Sequence, residues 1–158
     1  MDLMRIQPAA MAEGLLKCNA VTARYGLRLS ETDARALAET QARMLKAAGR
    51  VAFAGGVLEE LILAFCDSPY LQQDSYAETL AELVAAFYDF KNETLDEIDD
   101  AEAIALMKRL FDGDYCEGSL DRLREELLPE AARNVRAGLP PELKLSGGDE
   151  EPEDEYDE

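Results

Sequence analysis

Residues 76–90 read YAETLAELVAAFYDF, and within them Tyr76, Leu80, Leu83, Phe87 and Phe90 recur at intervals of four, three, four and three. A half-buried strand would alternate apolar and polar residues, so this spacing predicts a helix. Val84 widens the apolar line into a stripe that must be covered by other helices. Ser75 and Glu78 have the spacing of a capping box, which places the start at Asp74 or Ser75.

Upstream, VLEELILAFCDSP (57–69) predicts a helix from Val57 to about Cys66. Apart from Glu59 and Glu60 it is apolar nearly all the way round, which points to a central position. Pro69 stops it, because the residue before a proline is pushed out of the helical region. Further upstream, Ser30 or Thr32 is expected to cap a helix through Ala48, with Ala34, Leu37, Ala38, Gln41, Met44, Leu45 and Ala48 inward and Arg35, Glu39, Arg43 and Lys46 in water. Gly49 is the expected stop and RVAFAGG (50–56) a connector with room for a short extended piece. A first helix over roughly Pro8 to Arg24 is weakened by Gly14 and by the Val21–Thr22 pair.

Downstream, Asp99 and Asp100 suit the start of a fifth helix carrying Ile104, Met107, Leu110 and Phe111, stopped at Gly113. Ser119 opens a sixth, with Leu120, Leu123, Leu127 and Ala131 inward, in which Pro129 is expected to cause a kink or a division before Gly138. From Leu139 the apolar period disappears and the composition turns acidic. The expected architecture is therefore all-α: a compact bundle of five to six helices over residues 1–138, followed by a disordered acidic C-terminal tail over 139–158.

Charge is the strongest global feature, with 34 acids against 16 bases in 158 residues and a net −18. The run DEEPEDEYDE (149–158) holds eight acids and no base, leaving 26 acids, 16 bases and a net −10 on the other 148 residues. Direct binding to a phosphate backbone is disfavoured, since that needs Lys and Arg to displace counterions. A basic partner protein fits better. No segment approaches the ~18–20 apolar residues of a membrane span. The start, MDLMRIQPAAMAEGLLKCNA, lacks a basic region followed by an apolar core, so it is not read as a signal peptide and a cytoplasmic location is expected.

Chemistry is sparse. The chain has no histidine, which removes the commonest general base and the commonest transition-metal ligand. Cys18, Cys66 and Cys116 are widely spaced and odd in number, so neither a disulfide framework nor a zinc knuckle is implied. Cys66, Asp67 and Ser68 place a nucleophile beside an acid. At a helix C-terminus next to a carboxylate, however, a thiolate is disfavoured, and a buried structural cysteine is expected. Asp112 and Asp114 are spaced like the first ligands of a calcium loop, but Cys116, Glu117 and Leu123 then occupy the positions that need a ligand, a glycine and a glutamate.

Glu59–Glu60, and Glu78 with Glu82, lie on polar helix sides rather than facing one another. AFAGGVLEE lacks the residues of a phosphate-binding loop. Tyr70, Tyr76, Phe87, Tyr88 and Phe90 have only Lys91 among them, so a helix interface is expected in place of a base-stacking surface. No catalytic, cofactor-binding or metal-ligating residue is assigned.

The block YGLRLSETDA…GRVAFAGGVLEELILAFCDSPYLQQDSYAETLAELVAAFYDFKNETLDEI resembles an uncharacterised family of small acidic bacterial proteins known mainly from anaerobic Firmicutes. AFCDSPY and YAETLAEL…FYDFKNE are its most distinctive words, and the likeness runs from about Cys18 to Ala137. Other members commonly carry EFG-GG-I where this chain has AFAGGVL. The resemblance implies a bacterial, cytoplasmic, helical protein and brings no catalytic residue with it. The leading expectation is a non-enzymatic module that binds another protein through a helix face or the acidic tail. The alternatives are an acidic decoy for a nucleic-acid-binding protein, and an enzyme or ligand-binding protein with an unrecognised acidic pocket.

Overall fold

A computed structural model of the chain describes residues 8–47 and 57–145, together with the side chains from Ala10 onward. Among the described residues every regular element is helical. The expected helix end at Ala48, the stop at Gly49, the connector 50–56 and the acidic run 149–158 lie outside them. The chain divides into two compact units, Met1–Asp89 and Phe90–Glu158.

In the first unit, α1 (Pro8–Lys17) leads into the short α2 (Asn19–Thr22) and a 3-10 turn at Ala23–Tyr25. The helix expected over Pro8 to Arg24 is thus interrupted at Cys18, whose backbone nonetheless keeps helical angles (φ −63°, ψ −22°). Cys18 N–H donates to Leu15 O, and Cys18 O accepts from both Val21 and Thr22, so the path tightens for one residue without turning away. Gly14 plays a different part from the expected weak point. A Cβ there would collide with Glu59 Oε2, and the missing side chain lets the carboxylate lie against α1.

The helical path closes at Gly26 (φ 78°), where Leu27 N–H reaches Thr22 O and Gly26 N–H reaches Ala23 O. This pair of bonds requires a left-handed residue between them, which glycine supplies without steric cost. The extended connector that follows has no sheet to join. Asn19 substitutes for one neighbour, accepting from Leu29 N–H through Oδ1 and donating to Leu29 O through Nδ2, both at 2.9 Å. Gln73 substitutes for the other, accepting from Arg28 N–H at 2.7 Å and donating to Arg28 O at 2.9 Å.

Ser30 then caps α3 (Glu31–Ala47), its hydroxyl accepting from Asp33 N–H at 3.0 Å. Ala34, Leu37, Ala38, Gln41 and Leu45 are buried as the stripe predicts. α3 packs along α1, and α4 (Val57–Phe65) packs on both α1 and α2. Leu58, Leu61, Ile62 and Phe65 are the buried line of α4. They follow the i, i+3, i+4, i+7 rule, and Leu63 on the opposite side is 45% exposed, so α4 is amphipathic and does not sit at the centre on all sides.

A 3-10 turn at Gln73–Ser75 precedes α5 (Tyr76–Glu93), along which the unit boundary falls. Tyr76, Leu80, Leu83, Val84, Phe87 and Phe90 are essentially fully buried, as the 4-3-4-3 spacing predicts. Burial of one such side chain stabilises by about 1.5–3 kcal/mol, so this one stripe is a principal source of folding energy.

In the second unit, Asp99 caps α6 (Asp100–Asp112), accepting from Glu102 N–H at 2.8 Å. Ser119 caps α7 (Leu120–Arg122), accepting from Arg122 N–H at 3.2 Å. A π turn at Leu123–Leu127 joins α7 to α8 (Leu128–Arg136) and packs against α6. Leu128 N–H reaches back to Leu123 O, five residues away. Pro129 explains the wider turn: it has no N–H to give and its ring would strike a carbonyl in tight α register. The helix is re-registered there instead of being divided.

α8 ends on the same glycine device as α2, with Gly138 at φ 77°, Leu139 N–H on Asn134 O and Gly138 N–H on Val135 O. Residues 139–145, expected to begin the tail, fold back. Asn134 Nδ2 donates to Pro141 O (3.0 Å) and Leu143 O (2.9 Å), Arg109 pairs with Glu142 at 2.9 Å, and Leu145 is buried.

Candidate functional site

Cys66, Asp67 and Ser68 do not converge on one cleft. The Cys66 thiol is buried and donates to Leu63 O at 3.2 Å, one turn back in its own helix. Asp67 is on the surface, while Ser68 is buried and its hydroxyl accepts from Tyr70 N–H at 3.2 Å. These bonds close the C-terminus of α4 in the way a serine before a proline commonly does.

A second cluster, not visible in the sequence, gathers around the core of the first unit. Cys18 is buried with its thiol 3.6 Å from Gly14 O. Burial raises its pKa, and the negative charges of Glu59 and of a Cys66 thiolate would add to the rise. Tyr76 is buried with its hydroxyl unpaired, and burial pushes its pKa up to about 12. The neighbouring Thr22 offsets that shift only in part, its own proton being directed to Leu27 O at 2.8 Å. Cys18 and Tyr76 are thus held in their neutral forms, the opposite of what a nucleophile or general base needs.

The segment that resembles the start of a calcium loop is occupied by its own contacts. Asp112 pairs with Lys108 at 2.9 Å. Glu117 and Gly118 take left-handed backbone angles in the turn, with Gly118 N–H returning to Phe111 O. Arg122 lies over the Tyr115 ring at 4.9 Å and donates to Tyr115 O at 2.6 Å, and the Tyr115 hydroxyl donates to Glu126. That carboxylate holds the phenolic proton in place and raises the Tyr115 pKa. Cys116 beneath them is pushed up to about 11 by burial, with Arg122 opposing and Glu126 adding. Among the described residues no group of three or more Cys, Asp or Glu side chains is arranged to hold a metal ion.

Of the aromatic residues between 70 and 90, Tyr76, Phe87, Tyr88 and Phe90 are buried while Tyr70 is exposed, and Phe87 meets Tyr88 edge to face at 5.0 Å. Gln41 is fully buried, its Nε2 3.0 Å from the Tyr88 hydroxyl and its Oε1 without a partner. Lys91, taken from the sequence as the one cation near the aromatics, is buried. Its ammonium donates to Ile98 O at 2.5 Å and lies 2.8 Å from Asp100 Oδ1. A lysine three residues from the end of a helix signals a C-terminal cation, but nothing in sequence spacing shows that it turns inward.

What does reach the surface is apolar at a few points. In the first unit Val21, Tyr25, Leu63 and Tyr70 are exposed, and in the second Leu95, Leu139 and Leu143. No described helix is long and apolar enough to cross a membrane.

A family model described as "Family of unknown function (DUF6323)" matches residues 14–141. No curated protein and no solved structure matches the chain.

Proposed function

The chain belongs to this family of unknown function, and we propose that it is a non-enzymatic helical module that works by binding another protein. The observation that carries the reading is the placement of the thiols: Cys18, Cys66 and Cys116 are all buried, and none forms a disulfide with a described residue. The side chains best suited to covalent chemistry are thereby withdrawn from any substrate, while tyrosine and leucine side chains stand in water. Three thiols outside disulfides suit a reducing compartment, which supports a cytoplasmic location as part of the same reading. The acidic run 149–158 serves in this reading as a second element of the module, suited to a basic partner.

Affinity capture of the full chain, with native mass spectrometry of what is retained, tests the reading. A partner of fixed stoichiometry is expected. Absence of any retained protein, together with a turnover that Cys66→Ala abolishes, would sink it.

A further inference from the structure

We infer that the solvent side of the N-terminal helical segment, formed by Lys17, Val21, Arg24 and Tyr25 with Arg28 beside them, docks an acidic protein segment that carries an apolar anchor. The inference rests on the interaction-module reading and names the face and the partner class.

Residues 14–30, GLLKCNAVTARYGLRLS, contain none of the chain's 34 acids and three of its bases. In a protein of net −18 this is a local reversal of sign. Because Cys18 keeps helical angles, the helical path carries through from α1 into α2. Leu15, Cys18 and Thr22 are its buried line, and Lys17, Val21 and Arg24, spaced i, i+4, i+7, form one line on a different side. Val21 is 39% and Tyr25 52% exposed, so an aliphatic and an aromatic side chain are interleaved with the cations.

Among the described residues these cations are uncommitted. Lys91, Lys108 and Arg109 each hold a carboxylate, but none of Lys17, Arg24 and Arg28 makes an ion pair with a described residue. Glu59, the acid placed against Gly14, pairs with none of them. Arg28 is also positioned, since Gln73 grips its N–H and its carbonyl together.

An arginine offers a fork of donors that matches a carboxylate, and a tyrosine loses little side-chain entropy when it becomes a contact. Together they fit an acidic segment with one apolar residue. A nucleic acid fits less well, because its charges recur every ~1.7 Å and would run past three cations into the surrounding negative field. A short peptide is screened from that field beyond about 8–10 Å.

The test is to pan a random-peptide display library against the immobilised full chain, with full-length Arg24→Glu/Arg28→Glu and Tyr25→Ser variants alongside. All three positions are exposed, and circular dichroism verifies that the variants fold. Enriched peptides should be acidic with an apolar residue, should lose affinity at least about tenfold on either variant, and should weaken as salt rises. Lack of enrichment, or enrichment of basic or neutral peptides, overturns the inference. Acidic peptides that bind both variants undiminished overturn this face while leaving the module reading standing. Polarisation with labelled oligothymidylate is run in parallel, and binding that Arg24→Glu/Arg28→Glu abolishes would reassign the face to nucleic acid.

Discussion

Lys91 and Asp96 occupy the two positions of a helix-closing turn that ordinarily hold an apolar pair, and here they hold an ion pair at 3.8 Å. Asp96 N–H returns to Lys91 O and Leu95 N–H to Asn92 O, the same bond pattern that closes the helical segments at Gly26 and Gly138. In the α5 closure the residue between is not glycine but Leu95, at φ 56°. A buried ammonium thus replaces the usual greasy clasp, and a leucine takes a backbone shape it does not favour.

Lys91→Met keeps the stem in the core and removes the charge. Asp96 and Asp100 are half-exposed, so their loss is softened by water. The Ile98 carbonyl is left without its donor, and we expect a loss of about 1–3 kcal/mol. Urea unfolding at neutral pH measures it, and a change below about 0.5 kcal/mol would show that the ammonium does not hold the turn.

Leu95→Gly should stabilise by about 0.5–1 kcal/mol, because the left-handed residue no longer carries a Cβ and Leu95, 68% exposed, forfeits little burial. Gly26→Ala and Gly138→Ala should each cost about 1 kcal/mol through backbone strain alone, since nothing lies within 4 Å of an added Cβ at either site. Thermal denaturation of the three variants should therefore shift in opposite directions.

Gln41 is already half-satisfied, and Tyr88→Phe would strip its remaining Nε2 contact. A cost of about 1–3 kcal/mol is expected. Replacing both polar groups, as in Gln41→Leu/Tyr88→Phe, should recover most of that loss, so a double-mutant cycle should give a coupling clearly different from zero. Additive effects would contradict the contact.

Alkaline pH should unfold the protein in a defined window. Cys116 ionises at about 11 when folded against 9.0 for a free thiol, and Tyr76 at about 12 against 10.0. Above the unfolded values the unfolded chain has already lost protons that the folded chain retains, so stability falls as pH rises. The urea midpoint should be insensitive to these groups below about pH 8.5, then decline from about 9 to 12. Cys116→Ala should shrink the decline over its lower part.

Helix type, most boundaries, the cap at Ser30 and the helix starts at Asp99 and Ser119 were legible in the sequence because spacing and capping chemistry are local. The burial of Phe87 and Phe90 followed from the same periodicity. The turn at Pro129 was only half legible: a proline announces trouble, but a π turn absorbs it through the chain that precedes it. Leu63 misled because an apolar residue on an outer helix side has the same sequence signature as one inside. Lys91, Gln41 and the Cys18–Tyr76 cluster were not legible, since inward placement of a polar group depends on partners from distant segments. The acid-free stretch at 14–30 was visible as composition, but that its cations pair with no described carboxylate became apparent only once those carboxylates had positions.

Asn19 holds Leu29 through both halves of its amide, and that makes the connector intolerant of a carboxylate at this one position. Hydrolysis to aspartate would leave two acceptor oxygens facing Leu29, one toward the N–H and the other against the carbonyl. The same event would put the first carboxylate into the stretch between Gly14 and Ser30. Conversion of this one amide to an acid would therefore loosen the entry to α3 and alter the sign of the face beside it.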